Sequence, residues 1–182
     1  MNQAIRYARR AGLCAIALAA LMLGGCSNAT SSTEKTPNQL SWCDQKNINF
    51  QDSSVQGGTS LTDWSTVKPQ LGFTVYLPPT LPKDACLALA GGAIHDPIFG
   101  GQMNITWELG TKGPIAFSEA PRRAGVSETV QCVQSGQDAK TTICVGAIKN
   151  TSVTVAGRLG SSELTAYFNT LKADVDWVPA GK

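Results

Sequence analysis

Apolar and polar residues change rhythm several times along this chain, and those changes divide it. Ala11 to Leu23 is a 13-residue run of mainly Ala, Leu and Ile, preceded by residues 1–10 with Arg6, Arg9 and Arg10. A helix needs about 18 apolar residues or more to cross a bilayer. The run is shorter than that and has the length of a signal-peptide core. From Ser27 to Gln39 the sequence SNATSSTEKTPNQ has no apolar period, which predicts a flexible tether.

Folded structure is expected from Leu40 onward. Trp64, Val67 and Leu71 recur at spacings of three and four behind Thr62 or Asp63, either of which can cap a helix; Pro69 limits it to a brief turn. Gly72 to Pro82 reads as a strand stopped by prolines, and residues 84–94 alternate weakly, as a strand would. A loop follows from His95 to Gly101. Gln102 to Leu109 alternates cleanly, with Met103, Ile105, Trp107 and Leu109 on one face and Gln102, Asn104, Thr106 and Glu108 on the other. Such a pattern predicts a half-buried antiparallel strand. Further strands are predicted at Pro114–Glu119, Glu128–Gln134, Thr141–Ile148 and Ser152–Ala156. Ser161 is expected to cap a helix over 162–172, where Leu164, Tyr167, Phe168 and Leu171 form one apolar stripe.

Leu23-Gly24-Gly25-Cys26, at the end of the first apolar run, has the form of a lipobox, in which the cysteine thiol takes a diacylglycerol and the chain is cut just before it. The expected organisation is a signal peptide over 1–25, a lipidated tether over 26–39 and one domain over 40–182. The anchor is the diacylglycerol on Cys26, and the compartment is the extracytoplasmic side of a bacterial envelope membrane. Arg9-Arg10 is followed by Ala11-Gly12, not by the bulky apolar pair of a twin-arginine signal.

Cleavage changes the charge. The full chain carries 15 basic and 13 acidic residues; losing three arginines leaves 12 against 13, a net charge of −1. Without a basic face to displace phosphate counterions, nucleic acid is not an expected partner. The gap left by Cys14 and Cys26 is four cysteines, Cys43, Cys86, Cys132 and Cys144, an even number suited to an oxidising space. A hairpin centred near Asp138 sets Cys132 opposite Cys144, so these two are expected to pair, and Cys43 with Cys86 by elimination. A four-cysteine zinc site is disfavoured, because the paired C-x₂₋₄-C units of such sites are missing. No cofactor is expected.

The stretches Leu71-Gly72-Phe73-Thr74-Val75-Tyr76-Leu77-Pro78 with Leu81-Pro82, Ile105-Thr106-Trp107, Ile115-Ala116-Phe117-Ser118-Glu119, and Ser152 to Gly157 leading into Ser161-Ser162-Glu163-Leu164 carry a resemblance. Over residues 61–172 the chain resembles a family of bacterial extracytoplasmic domains of unknown function, found in small lipoproteins and in outer portions of membrane proteins linked to anti-sigma factors. That resemblance implies an α+β fold, a curved antiparallel sheet packed against a C-terminal helix. It supplies no catalytic residues and does not call for the four cysteines.

Candidate chemistry is sparse. His95 beside Asp96 has the makings of a base, but no Gly-x-Ser-x-Gly elbow accompanies it. Gly157-Arg158-Leu159-Gly160-Ser161 lacks the Gly-Lys-Ser/Thr ending of a phosphate loop. Trp107 shares a face with Ile105 and Leu109 and reads as core, whereas Trp42 and Trp177, near the domain's two ends, are the exposed binding candidates. Arg122-Arg123 reads as a solvated loop able to touch anionic headgroups. The leading expectation is a non-enzymatic binding or sensing module with an unidentified ligand or envelope-protein partner. Its rivals are a hydrolase assembled from Asp96, His95 and Glu119, and a purely structural envelope protein.

Overall fold

The computed structural model describes residues 34–54 and 58–179. The expected signal peptide, the expected lipidation site Cys26 and the first part of the expected tether lie outside the described residues. In chain order the first strands are β1 (Glu34–Lys35), β2 (Ile48–Asp52) and β3 (Thr59–Leu61), followed by helix α1 (Trp64–Val67). Next come β4 (Tyr76–Leu77), β5 (Leu81–Pro82), β6 (Cys86–Asp96), β7 (Gly100–Glu108) and β8 (Pro114–Pro121). The chain continues through β9 (Gln131–Gln134), β10 (Thr142–Ile148), β11 (Thr151–Gly157), helix α2 (Ser161–Thr170) and β12 (Lys172–Ala173).

Eight of these strands form one sheet in the order β3-β2-β6-β7-β8-β11-β10-β9. The expected α+β class, an antiparallel sheet backed by a C-terminal helix, is corrected on two counts. Among the described residues the protein is mostly β, with 44% strand and 16% helix, and its two α-helices are short. Its sheet is mixed, because β2 runs parallel to β6 from Ile48↔Ala90 to Asp52↔Ile94. The short apolar run of β2 carries no signal of direction. Its direction is set by the long connection through α1, β4 and β5 that crosses back over the sheet. The ten-residue α2 packs mainly on β9, β10 and β11. Short elements and irregular chain also supply core residues: Val67 of α1, Leu77 of β4 and Leu81 of β5 are buried together with Leu40, Leu71, Val75 and Trp177.

That core is laid down by alternation. Met103, Ile105 and Trp107 of β7 stand with Ile115 and Phe117 of β8 and Val153 and Val155 of β11, each fully buried. Trp107 and Phe117 meet edge-on, with ring centroids 5.4 Å apart. Each large side chain so buried contributes roughly 1.5–3 kcal/mol of transfer free energy. In β6 the inward residues are Leu87, Ala90 and Ile94, which breaks the two-residue period. Of two irregularities in its register with β7, at Leu87/Leu89 and Ala93/Asp96, the first accounts for the change of face. Gly92 lies between them: a Cβ there would come within 1.9 Å of the Gln102 carbonyl oxygen.

Other boundaries shift for local reasons. The stretch Gly72–Pro82 holds two two-residue strands instead of one long one, β4 pairing with β12 and β5 with β1. Pro78, Pro79 and Pro82 offer no N–H to a ladder. Asp63 caps α1, its carboxylate accepting from Ser65 N–H, and a 3₁₀ turn through Pro69 ends it. The cap of α2 is Gly160, not Ser161, and no side chain bonds there. The folded body also begins before Leu40: β1 pairs with β5, and Pro37 is buried in a 3₁₀ turn over Pro37–Gln39.

Both expected disulfides are present. Cys132 and Cys144 are direct cross-strand partners of β9 and β10, with Cα atoms 4.0 Å apart. Cys43 joins Cys86 at the start of β6. The two bridges place the protein in an oxidising, extracytoplasmic compartment. Among the described residues, no helix is long and apolar enough to cross a membrane.

Candidate functional site

Ser41 to Cys43 runs beside the beginning of β6. Cys43 N–H donates to Leu87 O, and Leu87 N–H donates to Ser41 O, both at 2.9 Å. With the Cys43–Cys86 bridge, these bonds hold Trp42 in a fixed place at the sheet's end. Trp42 is half-buried against the core and lines a groove of about 460 Å³ with Ser41, Asp44, Gln45, Lys46 and Pro179. Among the described residues, no side-chain hydrogen bond or ion pair engages Asp44 or Gln45. The groove thus offers one aromatic face edged by uncommitted polar groups.

Trp177, the other aromatic candidate, is not at the surface. It is completely buried, its ring centroid 5.0 Å from that of Trp64, and its indole N–H has no acceptor among the described residues. The chain end folds back into the core, and nearness to a terminus misled the expectation of exposure.

The three residues of the hydrolase alternative go separate ways. His95 has a positive φ of 56° and sets its Nδ1 3.0 Å from an oxygen of Asp52, at the far end of β2. Asp52 also accepts from the Ser54 hydroxyl and N–H; the Ser54 hydroxyl first, then His95 and then the Ser54 N–H, lower its pKa to about 2. Asp96 accepts from the N–H groups of Ile98 and Phe99 and so closes the β6–β7 turn. Glu119 is 1% exposed on the core face, where both carboxyl oxygens accept from Tyr76 N–H at 3.0–3.1 Å. Burial raises its pKa to about 8, opposed only by that N–H. Among the described residues, no hydrogen bond or ion pair links Glu119 with His95 or Asp96.

Two features escaped the sequence reading. Glu119 occupies the same alternating face as Ile115 and Phe117, so its burial was signalled by the period. The Asp52–His95 pair was not, since nothing local brings residues 43 positions apart together. Arg122 and Arg123 also part company: Arg122 is bonded to Glu128 and to the carbonyls of Val126 and Lys149, while Arg123 lies 4.3 Å over the Phe99 ring. Among the described residues, no cluster of three or more His, Cys, Asp or Glu is placed to hold a metal.

Fold and groove together define a disulfide-stapled, mostly β extracytoplasmic domain. No protein-family model matches the chain, no curated protein matches it, and no solved structure matches its fold.

Proposed function

We propose that this chain is an envelope lipoprotein, held to a membrane by diacylglycerol on Cys26, whose domain acts as a binding module and not as an enzyme. The observation that carries the reading is the Trp42 groove. An aromatic face fixed by a disulfide and edged by Asp44, Gln45 and Lys46 suits a ligand with one apolar face and a hydroxyl-rich rim, and an envelope saccharide has that chemistry. The hydrolase alternative has less support, because His95, Asp96 and Glu119 are each spent on separate structural bonds.

Trp emission tests it. Trp107 and Trp177 are fully buried, so a ligand at the groove is expected to change the Trp42 signal most. Titration with soluble cell-wall oligosaccharides is expected to give a saturable blue shift that Trp42→Ala abolishes while thermal stability stays close to wild type. An absent shift, or one that survives in Trp42→Ala, removes the groove as the binding site.

A further inference from the structure

On the sheet face away from the core, Ser118, Thr154 and Val145 stand in one row across β8, β11 and β10. After β8 the chain crosses this end of the sheet on its way to β9. Arg122 N–H donates to Asn150 O and Ala147 N–H to Ser127 O, which fastens both ends of the crossing. Arg122 stiffens it further through Glu128, Val126 O and Lys149 O. Between the crossing and the sheet is a cavity of about 260 Å³, lined by Gln102, Ser118, Arg123, Val126, Ser152 and Thr154 among others.

The polar inventory of this cavity is one-sided. Arg123 has no carboxylate partner among the described residues, unlike Arg122 and Arg158, which pair with Glu128 and Asp138. Ser152 Oγ accepts from Arg123 N–H at 3.1 Å, which leaves its own proton to give, and Thr154 Oγ has no partner. Ser118 already donates to Asn104. Glu119 also borders the cavity, but both its carboxyl oxygens are on Tyr76 N–H. The lining thus brings together one cation, Arg123, whose guanidinium lies over the Phe99 ring, and the hydroxyls of Ser152 and Thr154, with no uncommitted carboxylate beside them.

We propose that this cavity binds a small metabolite through an oxyanion, a carboxylate or a phosphate, with Arg123 as the charge partner and Ser152 and Thr154 as hydroxyl donors. Its volume of about 260 Å³ lies just below the usual range for drug-sized ligands, which suits a compact anion. Arg122 is the positioning residue: it fixes the crossing so that Arg123 and its N–H meet Ser152. The site is independent of the Trp42 groove, on other elements.

Amide chemical-shift titration of the whole domain tests it, with succinate and inorganic phosphate as probes. Whichever oxyanion fits is expected to give saturable shifts centred on Arg123, Ser152 and Thr154. Charge-assisted bonds being the strong ones, Arg123→Gln is expected to weaken binding about tenfold or more, and Thr154→Val about two- to fivefold. Arg158→Gln removes the same charge at a distance and is expected to change nothing. A response to succinate alone identifies a carboxylate ligand, and a response to phosphate alone a phosphate ligand. Silence with both probes overturns the proposal, as does equal loss in Arg158→Gln and Arg123→Gln, or unaltered binding in Thr154→Val.

Discussion

Glu119 holds a carboxyl group among apolar side chains, where its neighbours in register are Met103 and Val153. Desolvation favours its neutral form and moves its pKa from 4.5 to about 8. Below about pH 4.5 folded and unfolded chains both keep this proton. Between about 4.5 and 8 the unfolded chain releases it and the folded chain retains it. Stability therefore falls as pH rises through that window, by up to about 1.4 kcal/mol per pH unit, and levels off above it. Gln keeps an acceptor for Tyr76 N–H and has no proton to lose. Glu119→Gln is expected to match wild type near pH 5, to melt at a higher temperature at pH 8, and to flatten the curve between. Parallel melting curves from pH 5 to 8 would show that Glu119 does not titrate in that window. Asp52 acts at the opposite limit: its lowered pKa means that what it contributes is lost only as pH falls from about 4 toward 2.

At the scale of elements, each disulfide ties down chain that little else holds. β9 is an edge strand with four paired residues, and Cys132–Cys144 closes a separation of 12. Cys43–Cys86 closes one of 43 and fixes the segment carrying Trp42. Loop-closure entropy gives about 3 kcal/mol for the first and about 4 kcal/mol for the second. Denaturant unfolding of Cys132→Ala/Cys144→Ala and Cys43→Ala/Cys86→Ala is expected to show losses of that order. Only the second pair is expected to alter Trp42 emission and groove binding; an unaltered groove without Cys43–Cys86 would mean that the bridge does not position it. Legibility follows the same physical line. The strands β7, β8, β10 and β11 alternate in and out of one core, so their sequence period is their burial pattern. The pairing of Cys132 with Cys144 was legible because a hairpin is local. The parallel β2–β6 pair, the Asp52–His95 contact and the burial of Trp177 depend on how residues far apart in the chain meet, and no local pattern records that. The Arg123 cavity was hidden for the same reason, although the Arg122-Arg123 pair itself stood out.

For the whole molecule, the proposed attachment at Cys26 would decide how the proposed binding surfaces are presented. The described body starts at Glu34, eight residue steps from Cys26. At about 3.5 Å per step the connection spans no more than about 28 Å. Because β1 and the Pro37 turn belong to the body, a lipid on Cys26 would hold the domain closer to the headgroups than a tether reaching residue 39 would. A chain cut before Cys26 would carry 12 basic and 13 acidic residues, with no net positive charge to draw it to an anionic surface. Two acyl chains suffice for stable attachment, whereas one holds only marginally, so membrane residence is expected to depend on the diacylglycerol alone. Cys26→Ser is then expected to move the protein from the membrane fraction to the soluble one, with its disulfides and melting temperature unchanged. The comparison must be made at both low and high salt. Membrane retention of Cys26→Ser at high salt would refute the lipid anchor, and retention at low salt alone would point to charge on the body as a second attachment.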